Sequence, residues 1–382
     1  MSNYYDYIIT GAGCAGSSLL MRMMQDPFFS QKKILVIERT EKNVNDRTWC
    51  YWEKETGIFE PVVHHQWNRL NFFSEKFSDT LDIAPYRYKM IRGIDLYNYV
   101  REEANRCFNI EWLSAEVKEL ETISKQAIVR TEKETFTAEY VFNSIPFPKE
   151  KQADRSYMLL QHFTGWLIQT EKPVFDPAVA TFMDFRVSQE HGTTFIYQMP
   201  VSANIALVEY TLFTKDILPA EAYEEGIRNY ISSCITKETY KILHRESGVI
   251  PMTNHVFPLQ KGRVIQMGIA GGQVKGSSGY AFQFIQKRTQ KIVSLLKEGK
   301  APFCKRTVSD RRFHLYDSVL LNVLCREKMR GDEIFARIFE HNSAERVLQF
   351  IDNESSLWSD IKLMRTMPSS IFLPAALQEV FK

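Results

Sequence analysis

The 382-residue sequence predicts an α/β (α+β) fold that opens as a parallel unit, turns sheet-rich in its middle and ends in helices. Three observations predict it. Residues 5–38 read strand, glycines, helix, strand. Six β-prone segments follow one another between 126 and 213. At 263–299 the chain returns to a strand that runs into glycines and then a helix, so the first unit and this late segment are expected to rejoin in space.

Each element has its own signal. YDYIIT (5–10) is a short β-prone run that ends on glycine. The helix after GAGCAG carries Leu19, Leu20, Met23 and Met24 as an apolar stripe, with Pro27 beyond its end. KKILVIERT holds a second buried strand, closed by Glu38. Residues 92–107 read as a helix. Strands are expected at 126–131, 138–144, 162–170, 180–186, 193–199 and 205–213, the last two as a hairpin through 201–204. A helix over YAFQFIQKRTQKIVSLLKEG ends near Gly299, and the chain from 317 onward is mainly helical. The expected partition is 1–110 with 245–300 as one discontinuous unit of Rossmann type, 111–244 as a sheet-rich unit, and 301–382 as a helical C-terminal segment.

Composition narrows the class. Hydrophobic residues make up 44% and charged residues 25%, the balance of a folded soluble chain. A net charge of +2 excludes a polyanion binder of the whole chain, so nucleic acid is not an expected partner. Residues 287–330, however, hold twelve Lys/Arg against four Asp/Glu, which reads either as a solvated helix face or as a surface for anionic lipid headgroups. The six cysteines have no paired spacing, which points to free thiols in a reducing compartment and to no metal site. The N-terminus has no signal-peptide pattern and no apolar run approaches a membrane span, so any membrane contact is expected to be peripheral.

Gly11, Gly13 and Gly16 form G-x-G-x-x-G between strand and helix, the setting in which that spacing cradles a dinucleotide pyrophosphate on a helix N-terminus. Ala12 and Ala15 complete the turn. Glu38, 22 residues past Gly16, is placed to bond a ribose hydroxyl and to repel a 2′-phosphate, with Arg39 beside it; the ligand is therefore FAD or NAD. Arg47, Arg92 and the late glycine segment (Gly271, Gly272, Ser278, Gly279, Tyr280) favour FAD, whose longer body needs a second cradle.

ANIALVEYTLF (203–213) raises a separate question. On a strand, Ile205, Leu207, Glu209, Thr211 and Phe213 share one face, so Glu209 sits among apolar side chains. The residues alone allow an acid kept dry or a sheet-edge glutamate in solvent.

DRTWCYWE (46–53), LLQHFTGWLIQT (159–170), TFMDFR (181–186), FIYQMPVSANIALVEYTLF (195–213), GVIPM (248–252) and GGQVKGSSGYAFQFI (271–285) together resemble the bacterial lycopene β-cyclases. The resemblance runs in order from residue 5 to about 290. It implies an FAD-binding fold of the glutathione-reductase/aromatic-hydroxylase type. It also implies a flavin that must be reduced but is not consumed; NAD(P)H is a candidate reductant, and the sequence leaves the physiological one open. The implied reaction is acid/base cycloisomerisation of the ends of lycopene, or another polyene carotenoid, to β-ionone rings. The family's L-I-E-D-T acid falls on Glu209. Two departures stand out: Tyr210 where relatives often carry a second acid, and Gly276 where they often carry proline.

Protonating an unactivated alkene requires a dry, neutral carboxyl group, which an apolar strand face favours. Asp184, Trp166 and Tyr197 are expected to line the substrate pocket, and aromatic faces such as Phe182 are expected to steady a carbocation. A bilayer-dwelling substrate implies a cytoplasmic protein held peripherally on the inner membrane face. The basic 287–330 region and residues 357–377 are candidates for that contact, and other carotenoid-pathway enzymes are expected partners. Two other readings keep the fold: an FAD/NAD(P)H-dependent isoprenoid reductase or monooxygenase, and a non-enzymatic isoprenoid carrier.

Overall fold

The computed structural model of the chain describes residues 3–146 and 156–382. Its first layer is a sheet whose five parallel strands lie in the spatial order Ile110–Ser114, Ile34–Glu38, Tyr4–Thr10, Thr135–Asn143 and Val264–Gln266. Ile8, Ile9, Val36, Ile37, Val141 and Phe142 are fully buried within it. Such continuous apolar runs are what a parallel sheet covered on both faces demands. The helices Cys14–Met24 and Phe282–Lys297 pack side by side, tied by Arg22 to Thr289 (3.1 Å) and by Gln286 to Ser18 (2.9 Å). Chain segments some 270 residues apart thus rejoin, as the glycine pattern predicts.

The second layer is a mostly antiparallel sheet. Its spatial order is Tyr240–Thr253, Met158–Thr170, Ile205–Thr214, Thr193–Pro200, Val179–Asp184, Arg69–Phe73 and Ser78–Asp82. One face buries Trp166, Ile168, Val208, Tyr210 and Leu212 beneath the helix Ala220–Tyr230. The other face, with Leu207, Tyr197 and Phe213, joins a core shared with Phe335, Phe339 and Leu348 from the C-terminal helices. The small sheet Thr48–Glu53, Arg87–Arg92 and His65–Trp67 sits between the layers and contributes Trp52 and Tyr88 to that core.

All six strands expected between 126 and 213 are present, the 193–199 strand running on to Pro200 and the 162–170 strand starting earlier, at Met158. The partition differs from expectation. Thr135–Asn143 pairs into the parallel layer, whereas Arg69–Phe73 and the whole of Tyr240–Thr253 pair into the second. Alternation identifies a strand but not its partner, and these partners lie far away in sequence.

Candidate active site

The glycine turn has the geometry its spacing predicts. Gly11 has φ +89°, and a Cβ at Gly16 would lie 1.9 Å from the Gly11 carbonyl oxygen, so only glycine lets the helix sit this close to the strand. Gly13, by contrast, faces open space, with no atom within 4 Å of where its Cβ would be. Among the described residues no side chain caps the Cys14–Met24 helix, which leaves its first amides and its positive end directed at that space. Glu38 is anchored at the rim, where Oε2 accepts the Ala12 backbone N–H at 2.7 Å.

Gly11, Gly13, Ala15, Glu38, Arg39 and Arg47 line one cavity of about 540 Å³. Gly279 and Tyr280, brought by the late glycine loop, line the same cavity. So do Glu209, Leu207, Tyr197 and Met199 from the second sheet. The residues fit a dinucleotide: an uncapped helix end, room above Gly13 for a pyrophosphate, and the buried Gln161 Oε1, which lines the cavity without a partner.

Strand register places the acid. Gly165 pairs with Glu209 on one side and with Glu246 on the other, and Tyr197 pairs with Glu209 beyond. Glu246, Gly165, Glu209 and Tyr197 therefore form one row across four strands, on one face of the sheet. Both carboxylates are buried. Glu209 Oε1 accepts the Thr211 hydroxyl at 2.9 Å, and Glu246 Oε2 accepts the Thr48 hydroxyl at 2.7 Å. Burial first, and the Glu246 charge second, push the Glu209 carboxyl up to about 8, against the pull of the Thr211 bond. Burial also raises Glu246, while the Thr48 bond and the Arg47 charge lower it. Beside the row stands an aromatic wall. The Tyr280 ring lies 4.7 Å from Trp52 and 6.1 Å, stacked, from Phe182.

Several expected site residues lie elsewhere. Trp166 pairs with Val208, one residue off the acid's alternation, and so occupies the opposite face, where Arg245 and Arg228 cover its ring. Asp184 forms a bidentate pair with Arg186 and accepts the Tyr230 hydroxyl at 2.8 Å, a buried anchor on that same side. Arg92 is satisfied by Asp95 at 2.6 and 2.7 Å, outside the cavity lining. Gly271 and Gly272 line a neighbouring cleft of about 1000 Å³, and Ser278 is buried behind Gly279 with its hydroxyl unpartnered. Gly16 serves helix packing and Ala12 serves the Glu38 anchor. Sequence reading missed Glu246, Thr48 and Gly165. The signal for Glu246 was its place on the alternation Glu246, Gly248, Ile250, Met252, the less exposed side of that strand.

The two-layer fold and its cleft define an α/β protein of the flavoprotein type. Its structure is similar to that of the flavin-dependent brominase Bmp2 (TM-score 0.66, 12% identity, covering 94% of this chain and 97% of that one). It is also similar to a geranylgeranyl bacteriochlorophyll reductase-like protein from Thermoplasma acidophilum (TM-score 0.63, 13% identity, 99% and 98%). The chain belongs to the lycopene cyclase protein family, whose model matches residues 6–376. Among curated relatives it is similar to the lycopene beta-cyclases of Pantoea ananas (24% identical over 265 residues, 66% of this chain) and Pseudescherichia vulneris (23% over 262 residues, 65%). The matched stretches span 64% and 62% of those two relatives. Among the described residues, no helix is long and apolar enough to cross a membrane.

Proposed function

We propose that this protein is a lycopene β-cyclase that binds FAD and uses Glu209 as the acid. The observation that carries the reading is a buried carboxyl group, raised to about 8, in the wall of the cavity that also holds the dinucleotide fingerprint. At neutral pH Glu209 is then a neutral acid in a dry setting, with Leu207 and Met199 excluding water on its flanks. It donates its proton to the terminal double bond of the polyene end. The next double bond attacks the tertiary cation, closing the ring, and loss of a ring proton completes the β-ring. No electron is gained or lost. The Tyr197 and Tyr280 faces stabilise the cation by about 0.5–2 kcal/mol each.

Gly11, Gly13, Ala15, Glu38, Arg39 and Arg47 would hold FAD, with Gly279 and Tyr280 on its other side. When bound in its reduced form, FAD supplies an electron-rich ring that favours a nearby cation without net redox. NAD(P)H is the proposed reductant.

The polyene resides in a bilayer, so the protein must meet a membrane. Support comes from the C-terminal helices Leu357–Met364 and Ser369–Val380. Leu373, Leu377, Val380 and Phe381 are exposed on one face of the second, and Trp358 is exposed on the first. We assign the protein to a peripheral position on the cytoplasmic membrane face. Other pathway enzymes are proposed neighbours there.

The test is pigment analysis after expression in a lycopene-accumulating host, for the native chain and for Glu209→Gln. The native chain should form β-rings and the variant should not. Equal yields would remove Glu209 from the mechanism, and NAD(P)H consumed in step with product would favour a reductase.

A further inference from the structure

The site holds a second buried acid that the proton-donation scheme above does not use. Glu246 stands opposite Glu209 with only Gly165 between them. A Cβ at Gly165 would meet Glu246 Cγ at 3.3 Å and Glu209 Cβ at 3.6 Å, so both side chains lean over the glycine. The two acids differ in their partners. Glu246 is held by the Thr48 hydroxyl, at the start of the strand that follows Arg47. Glu209 has the Thr211 hydroxyl and, among the described residues, no cation bonded to it. The remaining titratable groups that bear on Glu209 are Cys50 and Tyr88 from the small sheet and Tyr197 from the neighbouring strand; all three are neutral, held so by burial. Arg47 and Asp46 bear on Glu246.

We infer that Glu246 is a positioning residue: its carboxylate, fixed by Thr48, faces Glu209 across Gly165 and keeps the proton on Glu209 until the polyene takes it, then drives its return. The inference rests on the cyclase reading. After donation, two carboxylates would face one another in a water-poor site with no cation between them. Such a pair cannot both stay ionised at low cost, as paired carboxylates in other enzymes show. Glu209 therefore reclaims a proton from the ring carbon of the cyclised cation. The balance closes: one proton goes from Glu209 to the less substituted carbon of the terminal alkene, the electron pair of the next alkene forms one carbon–carbon bond to the resulting tertiary cation, and one proton returns from a ring carbon to Glu209 as a ring double bond re-forms. Glu246 exchanges no proton with the substrate and stands outside the cavity lining.

Glu246→Gln separates charge from structure, because its amide oxygen still accepts the Thr48 hydroxyl. The FAD-loaded, chemically reduced enzyme is assayed for β-ring formation across pH with dispersed lycopene. In parallel, difference infrared spectroscopy follows the protonated-carboxyl band that Glu209→Gln removes. Glu246→Gln should move the alkaline limb of the profile down by roughly one pH unit and move the titration of that band with it. Glu246→Asp should restore both toward the native values. An unchanged band and an unchanged profile in a folded Glu246→Gln protein would overturn the inference while leaving Glu209 as the acid. Activity surviving in Glu209→Gln would instead overturn the cyclase mechanism itself.

Discussion

The hydroxyls of Tyr197 and Tyr280 lie 3.0 Å apart. One belongs to the second-layer sheet and the other to the loop that returns to the nucleotide cleft, so this contact joins the two halves of the site. Tyr197 is buried and Tyr280 half-buried, and loss of hydration raises both phenols far above their usual range, so they remain neutral donors at any working pH. Tyr280→Phe removes one neutral hydrogen bond and should lower stability by about 1 kcal/mol with the ring wall intact. Tyr280→Ala removes the packing on Trp52 and Phe182 and should cost about 3–5 kcal/mol. Denaturant unfolding of the two variants checks the order.

Glu209 links activity and stability to pH. Its carboxyl moves from its ordinary 4.5 to about 8 on folding, so between those values the folded chain holds a proton that the unfolded chain releases. The stabilisation is complete below 4.5 and is lost as pH rises through about 8. β-Ring formation, which needs the acid form, should be level near neutrality and fall through the same upper value. Glu209→Gln should be inactive, and its stability should decline less between pH 4.5 and about 8, by an amount of several kcal/mol at most. Thermal melts and rate profiles of both proteins over pH check the two halves separately.

Gly165 is a position where one methyl group discriminates. Gly165→Ala would press on Leu207 Cδ1 at 3.2 Å and on Glu246 Cγ at 3.3 Å, while meeting Glu209 Cβ only in ordinary contact at 3.6 Å. Overpacking of this kind costs about 1–3 kcal/mol. Displacing the acid row should lower the cyclisation rate, by about a hundredfold if the shift reaches about 1 Å. A variant that melts slightly earlier yet cyclises at the native rate would show that the row tolerates movement.

The nucleotide cradle makes a cleaner separation. Gly13→Ala meets no protein atom, so the fold should be unaffected, while the new methyl group occupies the space proposed for the pyrophosphate. Flavin retained per protein after purification should fall sharply. Arg47→Ala should also lower flavin retention, because Arg47 lines the cavity; Arg92→Ala should not, because that guanidinium is already engaged by Asp95. The flavin absorbance of purified variants checks all three.

Much of this protein is written locally in its chain. The βαβ unit was legible because glycine spacing, an apolar helix stripe and a closing acid fall within some 35 residues, each acting on its immediate neighbours. The strand carrying Glu209, and the alternation that turns the acid inward, were legible for the same reason: the side-chain period of a strand is a property of the backbone. Tertiary structure alone decided what faces what. Trp166 lies on the outer side because it falls one residue off the register of Glu209, and Asp184 found Arg186 and Tyr230 rather than the cavity. Glu246 met Glu209 because two strands from distant parts of the chain pair on either side of a single glycine. Register between remote strands is set by the packing of the whole sheet, and no short stretch of sequence contains it.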